Sequence, residues 1–249
     1  MFPRRYLDEF RTFYRSDRVF VAMPMSPAFE QRWRRLFRPA IVRVGLEPWR
    51  ADMRKSGDSI QTEILKEIGQ AKLILVDIST DSRNCRNANV MYELGLAHAA
   101  RLPEEVIIVR TDTRPLPFDF TQIRVHQLDP ANPSRARAVV ESLLRDALSE
   151  IDLTRDLLVA RTMRSLDEDA RYVIAMEYDK TAFGPYQATD GRYGHLSWQE
   201  LRTILRQLQM LGLIDVDARG PAEPSRYVWS DLGRAVIARL RAEFPRFGA

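Results

Sequence analysis

Residues 73–99 read LILVDISTDSRNCRNANVMYELGLAHA, and this stretch decides the fold. Leu73 to Ser79 is apolar at nearly every position, the pattern of a strand buried on both faces of a parallel sheet. A polar loop follows, and then Asn89 to Ala99 has the composition of a helix. Strand, loop and helix in that order are one half of a βαβ unit. Glu93 falls in the first turns of that helix, just past the carboxyl end of the strand. Open α/β sheets take their ligands at that edge.

The flanking sequence repeats the alternation. Before it come a strand at 18–23 ending at Pro24, a helix from about Ala28 to Val44 stopped by Gly45, a short strand at 46–50 and an amphipathic helix from Ser59 to Gln70. After it come a strand at 106–109, the loop Pro115-Leu116-Pro117-Phe118-Asp119, a weaker strand at 125–128 and a helix over about 134–151. Five alternations predict an α/β, flavodoxin-like domain over 18–152: a five-stranded parallel sheet in order 2-1-3-4-5 with helices on both faces. Aromatics among charges at near-helical spacing (Tyr6, Phe10, Phe13, Tyr14) predict a separate helix over 1–17. No glycine-rich phosphate loop of the dinucleotide or P-loop kind is present.

Composition narrows the class. The 249 residues are 45% hydrophobic and 29% charged, which is ordinary for a globular chain. The net charge of +4 is spread thinly, so it permits a nucleic-acid or nucleotide partner without requiring one. A single cysteine, Cys85, excludes an internal disulfide framework. Three scattered histidines argue against a zinc site, and no metal is expected. The charged start and the lack of a long apolar run predict a cytoplasmic protein with no membrane span.

If the sheet forms as read, three segments meet at its carboxyl edge. They are Met23-Pro24-Met25-Ser26, Asp77-Ile78-Ser79 and Pro117-Phe118-Asp119, with Asn87, Asn89, Tyr92 and Glu93 beside them. A carboxylate there can stabilise or attack a cationic anomeric carbon, which is the requirement for breaking a glycosidic bond. In that reading Glu93 acts on a ribose, and Asp77, Ser79, Asn87 and Asn89 hold its hydroxyls. Tyr92 or Phe118 stacks on a base, Met23, Pro24 and Ser26 line the base and phosphate region, and Asp119 is a further ligand-binding candidate. The plain structural readings are that Glu93 only favours a helix dipole, that Asp77 caps a loop, and that Phe118 plugs a core. His98 lies about 140° around the helix from Glu93 and does not share its target.

The ordered series VFVAMP, LILVDIS, NANVMYELGLAHA and LPFDF resembles the nucleoside 2-deoxyribosyltransferase-like superfamily, in particular its TIR-like nucleotide-binding branch, over residues 18–150. The resemblance implies a flavodoxin-like fold and a nucleophilic or ribose-contacting role for Glu93. It also implies NAD or another nucleotide as substrate or ligand rather than as a bound cofactor, and a possible homo-oligomer. Two positions depart from the family pattern. Asn87 stands where the transferases carry an aspartate, and Phe20 and Met23 stand near where they carry a tyrosine.

From about residue 155 the pattern changes. A helix at 166–178 is followed by a capping box, Ser197 with Glu200, that opens a helix running to Leu211. A hairpin and a last helix capped near Ser230 come next, and the whole resembles a winged-helix domain over 155–249. Gln199, Arg202, Arg206 and Gln209 form a polar stripe suited to base edges. Yet residues 155–249 carry 14 basic and 13 acidic side chains, little excess for a DNA-binding module, so partner docking is the preferred expectation over DNA. Three functions follow as alternatives: an N-glycosidase acting on a nucleotide or NAD, a non-catalytic nucleotide sensor, and a DNA-bound regulator.

Overall fold

The computed structural model describes residues 15–53, 60–116, 123–184, 193–217, 226–244 and 247. The chain divides into two compact units, Met1–Asp152 and Leu153–Ala249.

The first unit is built on five strands: β1 (Ser16–Ala22), β2 (Glu47–Trp49), β3 (Ala71–Asp77), β4 (Val106–Arg110) and β5 (Val125–Gln127). They pair in the order β2-β1-β3-β4-β5, all in parallel, as the sequence predicts. Side chains alternate across the central strands. Val19, Val21, Leu73, Leu75, Ile107 and Val109 face one layer, which also holds Phe29, Trp33, Phe37, Ile41, Val140 and Leu144. Phe20, Ala22, Ile74, Val76 and Ile108 face the other, with Leu65, Ile68, Val90, Leu94 and Ala97. Burial on both faces explains why β3 reads as unbroken apolar sequence.

Helices fill the connections. α1 (Pro27–Arg32) runs through a π-helical turn, Trp33–Phe37, into α2 (Arg38–Arg43). The sequence predicts one regular helix here. Pro39 has no N–H for an ordinary i−4 bond, and the Arg38 N–H instead reaches the carbonyl of Trp33. Gly45 ends this segment at φ +82°, a left-handed conformation open to glycine. α3 (Ile60–Gln70) and α4 (Ala88–Ala100) cover the opposite face.

The bounds of two elements differ from expectation. Of the helix expected over 1–17, residues 1–14 lie outside the described ones, and only its end is corrected: Ser16 and Asp17 belong to β1. The Ser16 hydroxyl donates to the Gln70 carbonyl at 3.0 Å, and Ser16 pairs with Ala71, so the segment is held extended by the start of β3. The helix expected over 134–151 is α5, Pro133–Ser165, which continues without interruption past the division between the units. No proline or glycine stands between Pro133 and Ser165 to stop it.

The second unit contains α6 (Glu168–Glu177), α7 (Trp198–Met210), the antiparallel hairpin β6 (Ile214–Asp217) and β7 (Arg226–Trp229), and α8 (Asp231–Glu243). Phe183 adds an antiparallel bridge to Tyr227. The capping box at α7 forms as read, with Ser197 N donating to Glu200 Oε2 at 2.7 Å and Glu200 N donating to Ser197 Oγ at 3.3 Å. Val173, Ile174, Leu205, Leu208, Leu213, Val236 and Leu240 form the core. Among the described residues of both units, no helix is long and apolar enough to cross a membrane.

Candidate active site at the carboxyl edge of the sheet

Because all five strands are parallel, the segments leaving β1, β3 and β4 emerge at one edge. The polar groups of that edge form two networks. In the first, Asp77 accepts the backbone N–H of Ser79 at 3.0 Å and the Ser79 hydroxyl at 2.5 Å, and it is ion-paired with Arg32 Nη1. Arg32 also donates to Ser79 Oγ at 3.0 Å and to Thr111 Oγ1 at 3.1 Å, and its guanidinium lies over the Phe29 ring. The Thr111 N–H donates to Ser79 Oγ at 2.9 Å. In the second, Asp112 ties the loop after β3 to the loop after β4. It accepts Thr80 N at 2.9 Å and Arg114 N at 2.9 Å, and Arg86 Nη2 lies 3.4 Å away. Burial pushes the Asp112 carboxyl up, but those two amides and the Arg86 and Arg110 charges hold it below the usual carboxylate value.

Asp77 and Ser79 are each only 1% exposed. This corrects their expected role as sugar-orienting groups. They are buried and bonded to each other and to Arg32, so they brace the edge from below. Met23 and Pro24 are likewise buried, Met23 in the apolar cluster with Phe29 and Trp33, and do not line an open face. Ser26 is exposed ahead of α1, where its carbonyl accepts Glu30 N at 2.8 Å and its side chain caps nothing. Phe118 and Asp119 lie outside the described residues.

Asn87 is the N-cap of α4. Its side-chain oxygen accepts Asn89 N at 3.0 Å and Val90 N at 3.2 Å. That engagement commits the amide oxygen to the cap and leaves the amide N–H groups as the side chain's donors. Asn89 is exposed, and its side chain makes no hydrogen bond among the described residues. Tyr92 is 59% exposed.

Glu93 differs from Asp77 and Asp112, the other acids described above at this edge. The buried positions of α4 are Val90, Leu94, Leu96 and Ala97. At 100° per residue, Glu93 lies about 60° from Val90 on one side and about 60° from Leu96 on the other, with Ala97 about 40° away. The helix therefore carries its carboxylate inside the apolar arc, where it is mostly buried. Among the described residues no cation or hydrogen-bond donor meets it. Burial alone raises its pKa from 4.5 to about 7. It lies beyond the first turn of α4, so the helix dipole does little to offset this. Asn89 sits one turn earlier on the same side, about 40° from Glu93.

The arginines that define this edge were not legible as site residues. Arg32 meets Asp77 across 45 residues of sequence and Arg86 meets Asp112 across 26, and neither spacing leaves a periodic trace. The one available signal was chemical: a strand-end aspartate inside an apolar run requires a cation or amide donors. Among the described residues, no three His, Cys, Asp or Glu side chains gather to hold a metal ion. Cys85 is exposed on the loop before α4 and donates only a weak contact to the Arg83 carbonyl at 3.7 Å.

No protein-family model matches this chain. No curated protein matches it either.

Proposed function

We propose that this protein cleaves the N-glycosidic bond of a nicotinamide nucleotide such as NAD, with Glu93 as the ribose-directed carboxylate. The observation that carries the reading is one mostly buried carboxylate, unpaired among the described residues, at the carboxyl edge of a parallel sheet.

The leaving group follows from what surrounds Glu93. Among the described residues of this edge, Asp77 and Asp112 are held by Arg32 and Arg86, and Asn87 cannot donate a carboxylic proton. A neutral nucleoside base needs an acid to leave. A pyridinium does not: its C1′–N bond breaks, the electron pair goes to the ring nitrogen, and the ring departs neutral. A lone carboxylate suffices to stabilise or capture the ribosyl cation. Water then supplies hydroxide to C1′ and its proton passes to Glu93 or solvent. The cationic ring also favours ionised Glu93, drawing down a pKa that burial has raised. Asn89 binds a ribose hydroxyl, and exposed Tyr92 stacks on a base.

The engagement of Asp77 and Ser79 with Arg32 favours a second reading, a nucleotide sensor that binds without turnover. The C-terminal unit, with its helices, hairpin and outward Gln199, Arg202, Arg206 and Gln209, is read as a winged-helix-like module that relays the ligand state to a partner, or less favourably to DNA. The test incubates the purified chain with NAD and separates released nicotinamide by chromatography. Nicotinamide release abolished by Glu93→Gln is expected. No release together with tight NAD binding selects the sensor, and release unchanged in Glu93→Gln overturns the assigned role.

A further inference from the structure

Helix α5 carries a surface that the proposed activity does not use. Leu153 and Leu157 are 61% and 60% exposed, high for leucines one helical turn apart. They belong to a longer series. Asp146, Glu150, Leu153, Leu157, Ala160 and Arg164 alternate spacings of four and three residues, the repeat of a helix–helix seam. With Arg161 they occupy an arc of about 100° and a length of about 27 Å. All seven are exposed. Acids stand at the amino end of the seam, leucines at its centre and arginines at its carboxyl end. Among the described residues none of Asp146, Glu150, Arg161 and Arg164 makes an ion pair. Asp146 accepts only the Ser142 hydroxyl at 3.4 Å, and Arg164 donates to the Ala160 carbonyl at 3.3 Å.

We propose that this face of α5 binds α5 of a second copy of the same chain in antiparallel orientation. The charge order selects both the occupant and its direction. A two-fold axis crossing the helix near Arg155 sets Leu153 against Leu157 of the partner subunit. It sets Glu150 beside Ala160 and Arg161 of the partner subunit, and Asp146 against Arg164 of the partner subunit. Every charged contact is then attractive and is made twice. A parallel pairing sets Asp146, Glu150 and Arg164 against their own copies and is repelled. With two leucines at its centre and ion pairs at both ends, the seam makes a weak, salt-sensitive dimer. The inference is independent of whether Glu93 is catalytic.

Sedimentation velocity on the full chain, over a micromolar concentration series at low and high salt, tests it. The wild type is expected to show a monomer–dimer equilibrium that weakens with salt. Leu157→Glu is expected to raise the dimer Kd by roughly tenfold or more. Asp146→Arg alone weakens the dimer, and Asp146→Arg with Arg164→Asp restores it, because reversing both charges rebuilds each pair. Thermal melts of these surface variants establish that they are folded. A wild type that stays monomeric, a dimer indifferent to Leu157→Glu, or a double reversal that fails to restore association would each overturn the proposal.

Discussion

Replacing Glu93 by Gln is expected to stabilise the protein, and to do so more as pH rises. In the folded chain the Glu93 carboxyl has a pKa of about 7, against 4.5 for the ordinary group. Below pH 4.5 it is protonated in both states and contributes no pH dependence. Between pH 4.5 and 7 the unfolded chain loses the proton while the folded chain keeps it, so stability falls as pH rises. Above pH 7 the loss is complete, at roughly 3 kcal/mol for a shift of this size. Glutamine has nearly the same shape and never ionises. Its gain over the wild type therefore grows by roughly 2–3 kcal/mol between pH 5 and pH 8.5. For a domain of this size that is a rise of about 4–12 °C in the difference between melting temperatures. The assay is calorimetric melting of both proteins at the two pH values, following the transition of the N-terminal unit. A Gln variant that is less stable at pH 8.5, or a difference that does not change with pH, would refute the claim that Glu93 is held ionised against its surroundings. Stability gained where activity is lost is the expected mark of a residue kept for chemistry.

Other perturbations separate bracing groups from acting ones. Arg32→Ala leaves the Asp77 carboxylate buried without its cation and is expected to cost about 3–5 kcal/mol in denaturant unfolding. The pair replacement Arg32→Met with Asp77→Leu should recover much of that loss. Asn87→Ala removes the cap of α4 and is expected to cost about 0.5–2 kcal/mol, whereas Asn87→Asp keeps the acceptor and adds a favourable charge at the helix start. If Asn87→Asp melts below Asn87→Ala, the oxygen at this position is not acting as the cap.

The sequence alone determined the sheet. The apolar run at Leu73–Val76, the glycine stop at Gly45 and the alternation of strand and helix placed the strands and made the sheet parallel, because these signals are local and periodic; the order β2-β1-β3-β4-β5 was the expected one for such alternation, and the strand pairing bears it out. It also placed Glu93 at the carboxyl edge of the sheet, since strand ends and helix starts follow from the same pattern. Tertiary structure decided which polar groups at that edge are free. Asp77, Ser79 and Asn87 were candidates beside Glu93 from the sequence, and only the inward reach of Arg32 and the amides opening α4 show that their acceptor oxygens are engaged within the fold. It decided the Glu93 pKa as well, through burial by neighbours that no composition reveals. The continuity of α5 was likewise not read from periodicity, because Leu153 and Leu157 face outward and break the amphipathic pattern of a helix that packs on its own core. Local periodicity specifies elements; partners distant in sequence decide which side chains are spent within the fold and which are left to act.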